Sequence, residues 1–415
     1  VKYSKLVPTD SFIGQYMEYM SVIETPYVYD FWCALWAIGT GVGREVFVDR
    51  PNAPVYLNWY VILAAESGTT RKSTAVRSIR NVFGEHTGGP ESDCKYHIIT
   101  GNTSPISLEL ALHERSRRTG TADAIIVVSE LTRILGKEGY MTTMPGLLAD
   151  LYDCDSHLSP GTQKHGEITL NKVFVSFLSA STPAWLVTAI NPAVIEGGFT
   201  SRVIFVVEDA RKKSIAWPEV RSSDSLESIR GKFHDTITQH KEPIRISTGG
   251  LKRFTHWYRS RTSHGDPFLS SFEAREDDHV LRCAACLAIN DGTWEIQSGH
   301  IGTACKVITE SKTRARSLFG GDFSTRARIG AAVARVREIL IDAGGDGIKH
   351  SDLQRRIVRR LDIIELRLLI RVLHESGMIQ IFKVGRGTFY RATRAIESLG
   401  VVSRVLSRLN LPSEH

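Results

Sequence analysis

The sequence predicts an α/β fold: a parallel sheet core with helical regions before and after it and a small basic module at the end. Three observations point to it. Between residues 56 and 208, short β-rich runs alternate with helical stretches. Residues 60–76, YVILAAESGTTRKSTAV, are a strand-like apolar run that breaks into a small-residue loop and ends in Lys72-Ser73-Thr74. Finally, residues 326–415 hold 17 Lys and Arg against 9 Asp and Glu, leaving 35 and 36 for the rest of the chain. The whole net charge of +7 therefore comes from the C-terminal segment, as in a polyanion-binding appendage on a near-neutral body.

The β-rich runs are Tyr56–Ala64, Tyr96–Thr100, Ala124–Ser129, Val173–Ser179 and Val203–Val207. A parallel sheet covered by helices on both faces would place phosphate chemistry at the carboxyl ends of such strands. After the first run, the loop and helix start (Ser67, Gly68, Thr69, Thr70, Arg71, Lys72, Ser73 and Thr74) have the order a nucleoside triphosphate site needs. Backbone amides cradle the phosphates, Lys72 reaches the outer ones and the Ser73 hydroxyl holds Mg²⁺. Glu66 and Arg71 occupy the two glycine positions of the GxxxxGK[ST] pattern, so flexibility falls to Gly68.

The third run ends in Ser129-Glu130. A carboxylate there can orient or deprotonate an attacking water, which makes Glu130 the general-base candidate, with Ser129 able to reach magnesium through water. The alternative for Glu130 is a carboxylate set against a helix dipole. The fourth run closes on Ser179, Ser181 and Thr182, which suit contact with the γ-phosphate or simple turn formation. Arg202 follows a glycine-containing loop and directly precedes the fifth run. It can enter a neighbouring subunit's nucleotide as a finger that accelerates phosphoryl transfer, or serve as a surface ion-pair arginine.

At 415 residues the chain exceeds one ordinary domain. The expected division is a helical, aromatic-rich region 1–55 packed on the core through Phe31, Trp32 and Trp36, a core at 56–210, and a helical lid or linker region at 211–320. A module at 326–395 and a tail at 396–415 follow the glycine-rich SLFGGDFS. No apolar run approaches the ~18 residues of a membrane span, and the N-terminus lacks a secretory core, so the expected setting is cytoplasmic. The chain opens on Val1 rather than Met, as a trimmed or partial sequence would. Cys283 and Cys286 form a lone CxxC in a helical stretch with no second ligand pair, which reads as a packed face rather than a zinc site.

Together, LNWYVILAAESGTTRKSTAV, AIIVVSELTRILG, LLADLYD, FVSFLSASTP and GGFTSRVIFVVED resemble the AAA+ P-loop ATPases. The likeness is to the primase-helicase type carried by phages, plasmids and genomic islands, and it covers about residues 10–210. TSRVIFV is similar to the arginine-finger motif of minichromosome-maintenance helicases. The resemblance implies ATP and Mg²⁺ as cofactors, Lys72 and Ser73 in the phosphate loop, Glu130 as the catalytic carboxylate and Arg202 as a finger acting in trans. It also implies Ser181 or Thr182 near sensor 1, Arg275 and Arg282 as sensor 2 candidates, a ring-shaped homo-oligomer (a hexamer), and a primase as a partner. SPGTQKHGEITLNK reads as a β-hairpin with Lys164 and His165 at its turn. By analogy with minichromosome-maintenance and superfamily 3 helicases, those residues would grip DNA in the pore; the other reading is an exposed turn.

Residues 327–395 read as three helices and two short strands around Gly385-Arg386-Gly387, the pattern of a winged helix. Arg367 and Arg371 on the third helix would face a groove, and Arg386 in the wing a phosphate. The expected activity is a Mg-ATP-dependent DNA helicase or translocase in replication of a mobile element or phage, in a bacterial or phage-infected cell. Two alternatives are a non-motor DNA-binding initiator or regulator with a nucleotide switch, and an ATP-dependent transposition or defence loader.

Overall fold

The computed structural model describes residues 1–51, 53–90, 94–135, 143–159, 168–190, 194, 198–208, 213–217, 222–239, 242–262, 267–319, 333, 335–357, 363–385, 387–393 and 396. The chain divides into two units, one of Val1–Pro183 with Ala193–Ser317 and one of Ala184–Pro192 with Leu318–His415.

A six-stranded parallel sheet organises the first unit: β1 (Tyr60–Ala64), β2 (Thr87–Gly88), β3 (Tyr96–Ile99), β4 (Asp123–Val128), β5 (Phe174–Ser181) and β6 (Val203–Val207), in the order β6-β1-β5-β4-β3-β2. Every residue of β1, β5 and β6 is buried, which is what a parallel sheet covered on both faces demands. The five anticipated strands are present. Four differ at their ends, the second and third by one residue. Val55–Tyr56 leaves the first run to pair antiparallel with Phe47–Val48, and β5 extends to Ser181. The short edge strand β2 had no counterpart in the sequence reading.

Helices flank the sheet. Val61 and Leu63 of β1 join a core with α2 (Tyr27–Val42), which is apolar on every side and almost wholly buried. Tyr60, pointing the other way, packs edge-on against Tyr152 of α5 (Thr143–Tyr152) and donates its hydroxyl to the Leu148 carbonyl at 2.8 Å. The other helices of eight or more residues described in this unit are α1 (Phe12–Tyr19), α3 (Lys72–Arg80), α4 (Pro105–Thr119), α6 (Ser223–Thr238), α7 (Thr248–Ser260), α8 (Glu276–Asn290) and α9 (Ser298–Phe319). Ser11, Ser104, Ser222 and Ser247 cap α1, α4, α6 and α7 by accepting from an amide three residues on.

The same core takes in both flanking regions. Trp32 meets Trp59 and Trp36 meets Phe83 edge-on, with ring centroids 5.7 and 5.8 Å apart. Cys283 and Cys286 are buried within α8, and burial pushes the Cys286 thiol up to about 12. They are packing residues of a helix. The region 211–320, expected to be helical, also contains a parallel pairing of Arg245–Ile246 with Glu295–Ile296.

In the second unit, helical residues 335–342 precede β7 (Ile348–Lys349), α10 (His350–Ile357), α11 (Ile363–Glu375), β8 (Ile379–Val384) and β9 (Gly387–Ala392). The strands form an antiparallel sheet in the order β7-β9-β8. Leu353, Ile357, Leu369, Leu373 and Ile379 share its apolar core. No helix among the described residues is long and apolar enough to cross a membrane.

Candidate functional site

Strand order decides where the first unit can bind a ligand. From β1 the chain leaves for the far edge of the sheet, returns through β3 and β4 to β5, and then crosses β1 to reach β6. Connections from the neighbours β1 and β5 thus depart in opposite directions, which opens a crevice at their carboxyl ends. The loop 65–71 and the Ser181-Thr182 pair both emerge there. Ser181 is in register with Ala64, and the Ala65 amide donates to the Ser181 carbonyl.

The loop folds around one carbonyl. Glu66 O accepts from the Thr69 hydroxyl at 2.9 Å, the Thr69 amide at 3.5 Å and Lys72 Nζ at 3.2 Å. Gly68 has φ +76° with open space where a side chain would stand, so the tip takes a backbone shape that only glycine holds without strain. Arg71 also lies in the left-handed region, at φ 50° and ψ 32°, in the place of the pattern's second glycine. Its guanidinium is held by Glu24 Oε2 at 3.1 and 3.2 Å. Glu24 is itself nearly buried, and its other oxygen accepts the Ile215 amide. The backbone strain, about 1 kcal/mol or more, is thus opposed by an ion pair that the sequence reading missed.

At the start of α3 no side chain caps the helix, so its first amides are left for a ligand. Thr70 is fully buried and its hydroxyl has no partner among the described residues. An orphaned hydroxyl beside uncapped helix amides suits an anion with several oxygens. Lys72 has its pKa lowered, chiefly by burial, while the charges of Glu66 and Glu130 oppose that shift. The coupling brings Glu130, which is exposed after β4, within electrostatic reach of Lys72 although two strand spacings separate β4 from β1. The Leu131 amide bonds to the Ala180 carbonyl, tying the Ser129-Glu130 turn to β5. Lys72, Ser73, Glu130, Ser181 and Thr182 therefore gather at one end of the sheet. The hydroxyl and carboxylate donors are of the type that suits Mg²⁺. Among the described residues, no group of three or more His, Cys, Asp or Glu could hold a metal unaided. A cation here would depend on phosphate oxygens and water as well.

Arg202, Arg275 and Arg282 stand at the opposite end. Val203 is in register with Tyr60, the first residue of β1, so Arg202 lies a strand length from the loop, about 13 Å at ~3.3 Å per residue. It donates to Asp153 at 2.5 Å and to the Gly198 carbonyl at 2.9 Å, and Arg275 shares Asp153 at 2.9 Å. Arg282 is buried, donating to the Tyr56 carbonyl at 2.7 Å and the Tyr152 hydroxyl at 2.5 Å, with Trp59 and Tyr152 rings beneath its guanidinium. Its contacts are internal to the fold, not with the loop of its own chain. Glu24 and Asp153 were invisible beforehand because each pairs with an arginine 47 or 49 residues away; Asp153 did fall within the LLADLYD stretch.

Arg367 and Arg371 are exposed one helical turn apart on α11, on one face. Lys164, His165 and Arg386 lie outside the described residues. Compared with known protein families and with characterised proteins, the chain matches none.

Proposed function

We propose that the chain is a Mg-ATP-dependent DNA helicase or translocase of the AAA+ P-loop type, serving replication of a mobile element or phage. One observation carries this reading: Lys72, Glu130 and the Ser181-Thr182 pair converge on the crevice where the strand order reverses, around an uncapped helix start and an orphaned Thr70 hydroxyl. Lys72 leaves the Glu66 carbonyl for the outer phosphates. Ser73 and Glu130 would hold Mg²⁺, Ser129 through water, and that ion spreads negative charge when bound. Glu130 orients the attacking water and takes up its proton, and Ser181 or Thr182 faces the γ-phosphate.

Arg202 is too far from its own loop to serve it. It acts on a neighbour's nucleotide in a homo-oligomeric ring, which we take to be a hexamer, with Arg275 beside it. The second unit is read as a winged helix that binds DNA through Arg367, Arg371 and the wing at Arg386. Lys164 and His165 grip the strand, and a primase is the natural partner of such a motor.

ATP turnover measured with and without single-stranded DNA tests the reading. Lys72→Ala and Glu130→Gln should each lower DNA-stimulated turnover by at least ~100-fold, with strand displacement lost in parallel. A parent chain that turns over no ATP but binds a duplex sequence-specifically would instead be an initiator or regulator, and the exposed Arg367 and Arg371 face favours that as the second reading.

A further inference from the structure

Helix α7 belongs to none of the machinery above, yet it carries a surface of defined chemistry. From Arg245 to Thr262 the chain has five Lys or Arg and no Asp or Glu. Phe254 and Trp257 pack on the core, which sets the rotation of the helix. At 100° per residue, Lys252, His256 and Arg259 then form one stripe, with Leu251 and Tyr258 forming another beside it. All five are exposed, Leu251 by 50% and Tyr258 by 46%. No carboxylate among the described residues pairs with Lys252 or Arg259.

The end of the helix is built more firmly. Arg261 donates to the Glu273 carbonyl, and its guanidinium lies 4.0 Å over the Tyr258 ring and 5.2 Å over Trp257. Tyr258 and Arg261 line a cleft of ≈ 340 Å³ with Thr262, Ser270 and Ala274. The two carboxylates at this cleft, Glu273 and Glu276, are both matched by Lys312, at 3.8 and 2.9 Å. Lys312 thus offsets one of the two negative charges at this cleft, and the Arg261 guanidinium stands beside them.

We propose that the exposed face of α7 binds single-stranded nucleic acid, with Lys252 and Arg259 on backbone phosphates and an unpaired base stacked against Tyr258. A cationic stripe beside an aromatic one fits a polymer whose charges and π-faces alternate, and contacts to phosphates and to the π-face that every base has are tolerant of sequence. Duplex DNA keeps its bases stacked inside and offers Tyr258 nothing. This assignment does not rest on ATP hydrolysis. A chain without turnover can hold a strand on this face, and a chain with turnover can lack the property.

The test uses the full chain without ATP, fluorescein-labelled oligo-dT and oligo-U, and anisotropy over a salt series. The double substitution Lys252→Ser with Arg259→Ser should weaken binding about tenfold and reduce the salt slope by ~1.4, the share of two phosphates at ~0.7 each. Tyr258→Ala should weaken it roughly tenfold, while Tyr258→Phe, which keeps the ring, restores it. Photo-crosslinking with iodouracil-substituted strands should place the adduct on the peptide containing Tyr258. Equal loss for dT and U marks a face that reads phosphate and base stacking alone; loss for one only restricts it to that polymer. Unchanged affinity and slope in the double variant, or an adduct confined to other peptides, overturns the proposal. So does concentration-dependent self-association that Tyr258→Ala abolishes, because the face would then be covered by a second copy.

Discussion

His279 illustrates how one buried ring sets conditions for its surroundings. Its Nε2 lies 2.9 Å from the Ser201 carbonyl and its Nδ1 3.5 Å from an Arg282 nitrogen, while Trp59 and Phe272 stack on its faces. Only the neutral tautomer with hydrogen on Nε2 donates to the carbonyl and accepts from the arginine. Burial and the Arg282 charge lower its pKa from 6.5 to about 3. Below 6.5 the unfolded chain takes a proton that the folded chain refuses until about 3. Between those values the unfolded state binds more protons, so stability is full above the upper one and falls as pH drops. The limit for one group is ~1.4 kcal/mol per pH unit. Unfolding by urea from pH 7 down to pH 4 should show this slope in the parent, and His279→Gln, which keeps a donor for Ser201, should flatten it. Parallel slopes would mean that other groups carry the acid sensitivity. Protonation leaves the donor to Ser201 in place and sets a second N–H against the Arg282 guanidinium.

Among the elements, α2 shows that close approach can outweigh propensity. Gly39 lies mid-helix, where alanine is ordinarily worth about 1 kcal/mol more. Here a Cβ would stand 2.2 Å from the Leu57 carbonyl oxygen and 2.8 Å from the Trp59 ring, so the helix would have to lift from the segment leading into β1. Gly39→Ala should therefore cost a net ~1–3 kcal/mol, seen as a lower urea midpoint with an unchanged slope; a raised midpoint would refute the tight packing. Such contacts also mark what the sequence could disclose. The strands β1, β3, β4, β5 and β6 were legible because continuous runs of Val, Ile, Leu and Phe bounded by turn residues are what a doubly covered strand requires. The placement of Lys72 and Ser73 at a helix start after β1, and of Glu130 just beyond β4, was legible from local order alone. Glu24 and Asp153 were not, since nothing local distinguishes a carboxylate that pairs 47 or 49 residues away. Nor was the cationic and aromatic face of α7: the sequence shows its residues, but only the burial of Phe254 and Trp257 shows which others remain outside.

For the whole molecule, the proposed ATPase function raises the question of whether one copy would be complete. The loop 65–71 lies at the carboxyl end of β1 and Arg202 at the level of its first residue, so under the proposed function a single copy could not bring both to one nucleotide. Copies joined head to tail could, because that contact repeats the same pair of unlike surfaces, and it makes the proposed ring where the rotation between copies closes. Asp153, holding both Arg202 and Arg275, then acts as the internal counter-ion that a neighbour's phosphates must outcompete. Mixing gives this reading a quantitative consequence. Lys72→Ala has a damaged loop and an intact finger, and Arg202→Ala the reverse, so each alone should be nearly inactive. In an equal mixture that exchanges freely, a productive interface needs the loop from an Arg202→Ala copy and the finger from a Lys72→Ala copy. Random assembly provides that at about one interface in four. ATP turnover in the mixture should therefore recover to about a quarter of the parent rate if interfaces fire independently, and to less if the ring must fire in sequence. No recovery, with exchange verified by energy transfer between labelled copies, would return Arg202 to the plain role it has within one chain, an ion-pair partner of Asp153.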